Sequence, residues 1–93
     1  MKGIKRLMEE RLTETKFIND KQPSLEQMQE FVGGYIEVVT LSDSKQMVIN
    51  EEGKLLELPI NKKATDLFEQ AFGVGTDVIC GKAMILTDKA LLD

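Results

Sequence analysis

The 93-residue sequence has no histidine and no tryptophan, and only one cysteine, one tyrosine and two prolines. Without histidine there is no Ser-His-Asp or Cys-His relay and no imidazole metal ligand. A single thiol makes neither an intrachain disulfide nor a cysteine-rich zinc site, and it fits a reducing compartment. No run of eighteen apolar residues occurs, so no membrane-spanning helix is expected. The start, Met1-Lys2-Gly3-Ile4-Lys5-Arg6, is charged and no apolar segment follows it, so no secretory signal is expected. These absences lead to a cytoplasmic, non-enzymatic protein with no catalytic residue, no metal and no cofactor.

What is present is ordinary for a soluble domain: 42% hydrophobic and 30% charged residues in a length that suits one core. Sixteen acids against twelve bases give a net charge of -4, which argues against a nucleic-acid binder. The charge is uneven. Residues 1–12 carry four bases and two acids, whereas the remainder is acidic. The chain therefore divides into an N-terminal arm or helix, residues 1–12, and a single compact domain, residues 13–93.

Apolar residues Ile4, Leu7, Met8 and Leu12 recur at helical spacing in the arm. A short extended stretch from Thr13 to Ile18 follows. Ser24-Leu25-Glu26-Gln27 reads as a capping box, and the helix it opens stops at Gly33-Gly34. Tyr35 to Leu41 and Gln46 to Asn50 read as two strands of a hairpin, and Leu55 to Leu58 as a short third strand. Asn61 caps a second helix with Ala64, Leu67, Phe68 and Ala71 on one face. Val78 to Leu86, nearly continuous in apolar residues, reads as a central last strand, with Cys80 a buried, inert thiol inside it. The expected architecture is α+β: a small antiparallel sheet of three to four strands with two helices packed on one face, plus a candidate N-terminal helix.

Binding candidates come from the polar positions around these elements. Gly33 and Gly34 leave backbone N–H groups open beside Tyr35, which offers a ring face and a hydroxyl. Glu37 alternates with apolar residues on its side of the strand, so it is either exposed or a partnered acid. Glu37 and Glu51 are the carboxylates that an acid–base enzyme would use, but their spacing is no motif. Asn61, Lys62 and Lys63 at a helix N-terminus suit an anionic group such as a nucleotide phosphate. Gly73-Val74-Gly75 follows a helix and precedes a strand, the reverse of a dinucleotide loop, and reads as a turn.

Several strings occur together: Phe31-Val32-Gly33-Gly34-Tyr35-Ile36-Glu37, Asn50-Glu51-Glu52-Gly53-Lys54-Leu55, Leu58-Pro59-Ile60-Asn61-Lys62-Lys63-Ala64-Thr65, and a last strand containing Gly81. In this order they resemble a family of small domains, of no established activity, encoded by bacteriophages, prophages and plasmids. The resemblance spans residues 24–86. Members usually begin directly with a strand, and the first twenty residues here differ. The positions that match are Tyr35, Glu37, Asn50, Glu51 and Asn61. The resemblance implies a mobile-element protein in the cytoplasm of a host bacterium, inhibiting a host defence system through contact with a host or phage protein. Two other roles are weighed: a sponge for an anionic nucleotide signal, and an accessory protein of phage replication working as a homo-oligomer.

Overall fold

The structure, a computed structural model, describes residues 11–93. The helix expected over residues 2–12 lies outside the described residues except for Arg11 and Leu12, which are helical. Strand β1 (Thr15–Ile18) leads through a polar turn to helix α1 (Leu25–Val32). Strands β2 (Ile36–Ser42) and β3 (Lys45–Asn50) form the hairpin. Helix α2 (Lys62–Phe72) precedes strand β4 (Ala83–Thr87) and a 3-10 turn at Asp88–Ala90. The four strands make one sheet in the order β1-β4-β3-β2.

The α+β class stands, and two of its expected details are corrected. The sheet is mixed: β4 pairs antiparallel with β3 but parallel with β1, Thr15 standing opposite Ala83 and Ile18 opposite Leu86. The helices also lie on opposite faces of the sheet. Val48, Met84 and Leu86 pack with Met28 and Val32 of α1. Their sequence neighbours Met47, Ile49, Ala83 and Ile85 pack with Ala64 of α2. Side chains alternate across a strand, so an unbroken apolar run buries both faces and needs a cover on each. Met47-Val48-Ile49 and Ala83-Met84-Ile85-Leu86 are such runs, and all seven residues are buried. Full burial of one such Val, Ile, Leu or Met side chain stabilises by about 1.5–3 kcal/mol.

The helix boundaries follow local chemistry. Ser24 Oγ accepts from the Gln27 N–H at 3.1 Å, and Gln27 Oε1 accepts from the Ser24 N–H at 2.9 Å, closing the capping box. Gly33 ends α1 at φ 82°, a left-handed conformation that costs glycine no side-chain clash. The tail is docked: Gln46 exchanges two hydrogen bonds with the backbone of Leu92.

Two further expectations are corrected. Leu55 to Leu58 is not a strand. The chain from Glu51 to Glu57 coils through successive turns, with the Leu56 N–H on the Glu52 carbonyl and the Leu58 N–H on the Gly53 carbonyl. The last strand begins only at Ala83. Gly81 at φ 90° bends the chain before it, and Val78 to Lys82 form a loop that pairs with the segment before α2 through an isolated bridge, Ile60 to Cys80. Cys80 therefore lies outside β4 and is half-buried rather than buried.

Candidate functional site

Asn50 closes β3 and begins the site. Its side chain is buried and fully used: Nδ2 donates to the Val32 carbonyl at 3.1 Å, and Oδ1 accepts from the Glu52 N–H at 2.8 Å. One amide thus fixes the end of α1 to the start of the coiled turn. The Glu51 N–H donates to the Tyr35 carbonyl at 2.9 Å, which prolongs the β2–β3 ladder to the same point.

The coiled turn then locks against the loop before β4. Gly53 faces the Cys80 carbonyl so closely that a Cβ atom would stand 2.7 Å from its oxygen. Gly81 packs under Leu58, where a Cβ would stand 2.8 Å from Cδ1. At Gly53 the close atom is backbone, so the position needs hydrogen for a side chain; at Gly81 the Leu58 methyl can turn aside, and the φ of 90° is what favours glycine. The Gly81 N–H donates to the Pro59 carbonyl and the Asn61 N–H to the Ile79 carbonyl, completing the seam.

Between these loops, α2 and the β2–β3 hairpin lies a hollow of about 210 Å³. Glu37 and Val39 of β2, Phe68 of α2 and Cys80 form its walls, with Glu51, Lys54, Leu55 and Asp77 around it. Lys54 and Asp77 form an ion pair across it. The hydrogen bond to Asp77 raises the Lys54 pKa, and the negative charge of Asp77 and of nearby Glu37 adds to the effect. The Asp77 carboxyl is lowered by the same hydrogen bond and by the Val78 N–H. Glu37 itself is exposed. Among the described residues no three His, Cys, Asp or Glu side chains are grouped to hold a metal ion, and no buried side-chain polar atom lacks a partner. The hollow is a small, open cleft of mixed charge with an apolar floor.

The nine sequence candidates separate into three places. Glu37, Asn50 and Glu51 meet at the hollow. Gly33, Gly34 and Tyr35 lie behind it. Gly34 packs on the Asn50 amide, with its would-be Cβ 3.2 Å from Nδ2, and Tyr35 projects into solvent. Asn61, Lys62 and Lys63 stand apart, at the start of α2. Asn61 is 1% exposed, with Oδ1 capping the Ala64 N–H at 3.0 Å and Nδ2 donating to the Gly81 carbonyl at 2.9 Å and to Thr15 Oγ1 at 3.0 Å. Its side chain is occupied inside the fold. Lys62 reaches Asp66 at 3.9 Å, and Lys63 lies 5.5 Å from the Phe17 ring centre.

Sequence reasoning missed Lys54 and Asp77, which are 23 residues apart and meet only because the two loops dock. It also missed a larger concavity, about 500 Å³, between β1 and α1. Lys16 of its lining, and Lys82 from the loop before β4, hold their ammonium groups 6.0 and 5.2 Å from the centre of the Phe31 ring. Lys21 lines the same groove, together with the acids Asp20 and Glu30. The alternation of Lys16 with Phe17 was a legible signal of β1, but the approach of Lys82 depends on the parallel β1–β4 pair.

Among the described residues no helix is long and apolar enough to cross a membrane. No curated protein and no solved structure matches the chain. One family model does, over residues 4–90, which takes in most of the arm as well as the span of the motif strings: the chain belongs to the family described as a domain of unknown function, DUF3846.

Proposed function

We propose that this domain is a non-enzymatic binding protein of a bacteriophage or other mobile element, and that it inhibits a host defence protein by direct contact through its loop end. The observation that carries this reading is the set of apolar side chains displayed at the loop end, where the hollow lies. Leu55 is 82% exposed and Ile60 59% exposed, on backbone pinned by the Gly53–Cys80 approach and the Ile60–Cys80 bridge. Apolar groups on a fixed backbone lose little freedom when they dock, and they bring the area that a contact needs. Two of the strings that resemble mobile-element domains, Asn50–Leu55 and Leu58–Thr65, build this end.

The test pairs wild type with Leu55→Asp/Leu56→Asp. Both side chains are exposed, so the variant folds, and an unchanged melting temperature checks this. Wild type is expected to restore phage growth in a host carrying the targeted defence operon, and to bind the purified defence protein. The double variant loses both. Retention of both by the variant removes the loop end as the contact surface.

A second reading, capture of an anionic nucleotide, is favoured by the groove between β1 and α1. Its volume suits a small molecule. Lys16 and Lys82 hold two ammonium groups over the Phe31 ring where a phosphate could meet them, and neither has a carboxylate within ion-pair distance among the described residues. A nucleotide that binds there raises the melting temperature by mass action, and Lys16→Glu/Lys82→Glu abolishes the rise. No shift with linear or cyclic nucleotides removes this reading.

A further inference from the structure

The outer edge of β2 has no backbone partner among the described residues. The Glu51 N–H bonds to the Tyr35 carbonyl, and the ladder continues with Glu37 opposite Ile49 and Val39 opposite Met47. In an antiparallel pair, every second residue turns its N–H and C=O to the partner strand. Tyr35, Glu37 and Val39 are therefore the residues bonded to β3. Ile36, Val38 and Thr40 turn their N–H and C=O outward. β2 is the terminal strand of the sheet, and among the described residues nothing bonds to those outward groups.

Edge strands are usually guarded by lysine, proline, a bulge or short length. β2 runs for seven residues without Lys, Arg or Pro, and its one charge is Glu37. Its irregularity comes only after Thr40, where the register shifts before Ser42. The regular segment is thus Ile36 to Thr40, and its midpoint is Val38.

We propose that β2 pairs antiparallel with β2 of a second copy of this chain, about a two-fold axis through Val38. The outward groups are arranged symmetrically about that residue, so every donor of one copy meets an acceptor of the other. Val38 stands against its counterpart, and Ile36 against Thr40, on the α1 side of the sheet. Val38, 40% exposed in one copy, is covered by the pairing. On the α2 side Glu37 of each copy stands against Val39 of the other, so no carboxylate faces a carboxylate. An unrelated strand satisfies the backbone equally; the same strand adds a match of charge, register and length. Glu37 and Val39 also line the hollow. Directly opposed side chains on one face have Cβ atoms roughly 4.5–5.5 Å apart. The two hollows of the dimer then open on one seam, each receiving a wall from the other copy.

Sedimentation equilibrium of the full chain across concentration tests this. Wild type is expected to be a dimer, and more tightly so at high salt, because each copy carries a net charge of -4. Val38→Pro removes an outward donor and no bond to β3, and is expected to give a folded monomer. Val38→Lys sets like charges against each other at the axis without restricting the backbone. It is expected to weaken dimerisation at least tenfold, and it decides the matter should the proline variant misfold. A wild type that stays monomeric at every concentration overturns the proposal. So does a dimer that Val38→Lys leaves unweakened, since that dimer uses another surface.

Discussion

Asn50 donates from Nδ2 to the carbonyl of Val32, the last residue of α1, across a distance of 3.1 Å. The same side chain accepts from Glu52, so one amide joins the end of a helix, the end of a central strand and the turn that frames the hollow. Asn50→Ala leaves a carbonyl and an N–H without partners. Net losses of about 1–3 kcal/mol accompany each buried group so orphaned, and partial exposure of Glu52 lowers its share. A destabilisation of roughly 2–3 kcal/mol is expected from urea unfolding. A loss below half a kcal/mol would show that water replaces both bonds.

Asn61 is expected to behave as a structural residue and not as a ligand contact. Asn61→Ala removes a helix cap and the bond to Gly81 together, a cost of about 2–4 kcal/mol. Lys62→Ala and Lys63→Ala remove exposed side chains and are expected to change the unfolding midpoint little. Thermal melts of the three variants check the contrast. Equal effects would contradict it.

Gly53→Ala and Gly33→Ala separate two ways in which glycine is needed. At Gly33 the φ of 82° disfavours a side chain, but nothing lies within 4 Å, so the cost is the conformational one of about 1–2 kcal/mol. At Gly53 the methyl group collides with the Cys80 carbonyl, and the two loops must move apart. The expected signature of Gly53→Ala is local: amide exchange speeds up at Ile79–Gly81 and at Gly53–Leu58, while β3 and β4 stay protected. Uniform deprotection would instead mean global unfolding.

The Lys54–Asp77 pair sets a pH window for the rim of the hollow. Asp77 is lowered by Lys54, so its contribution is present above the ordinary carboxylate range and is lost as pH falls through the folded value. Lys54 is raised, so its contribution is present below its ordinary range and is lost as pH rises through the folded value. The pair is fully formed between the ordinary carboxylate range and the ordinary lysine range, and the two shifts extend it beyond both. Both groups are exposed, so the effect on global stability is small. Carboxyl NMR titration should give Asp77 a midpoint below that of an ordinary aspartate. Lys54→Ala should return it most of the way. An unmoved midpoint in that variant would assign the shift to the Val78 N–H instead.

Local chemistry was the legible part of this sequence. The Ser24–Gln27 box, the Asn61 cap, the Gly33 stop and the β2–β3 hairpin are each specified by residues within four or five positions of one another. Leu55–Leu58 failed because a short apolar run says nothing about length constraints set elsewhere. The chain there must stay coiled to bring Gly53 under Cys80, and Glu57 takes φ 54° to do so. The opposed helices were legible in principle. Continuous apolar residues in β3 and β4 mean two buried faces, and a one-face arrangement would leave Val48 or Met47 bare. The hollow was half visible: Glu37, Asn50 and Glu51 were singled out, whereas Lys54 and Asp77 gain meaning only from a docking between distant loops.

The parallel pairing of β1 with β4 ties the earliest strand of the chain to the latest. During synthesis Thr15–Ile18 leaves the ribosome long before Ala83–Thr87 exists, and Thr15 has no Asn61 to receive it until α2 has begun. The β2–β3 hairpin and α1 can assemble on the way, but the sheet gains its fourth strand only at the end. A nascent domain of this kind therefore waits with β1 unpaired and both faces of its core lacking the residues of β4, and it becomes resistant to proteolysis in a late step.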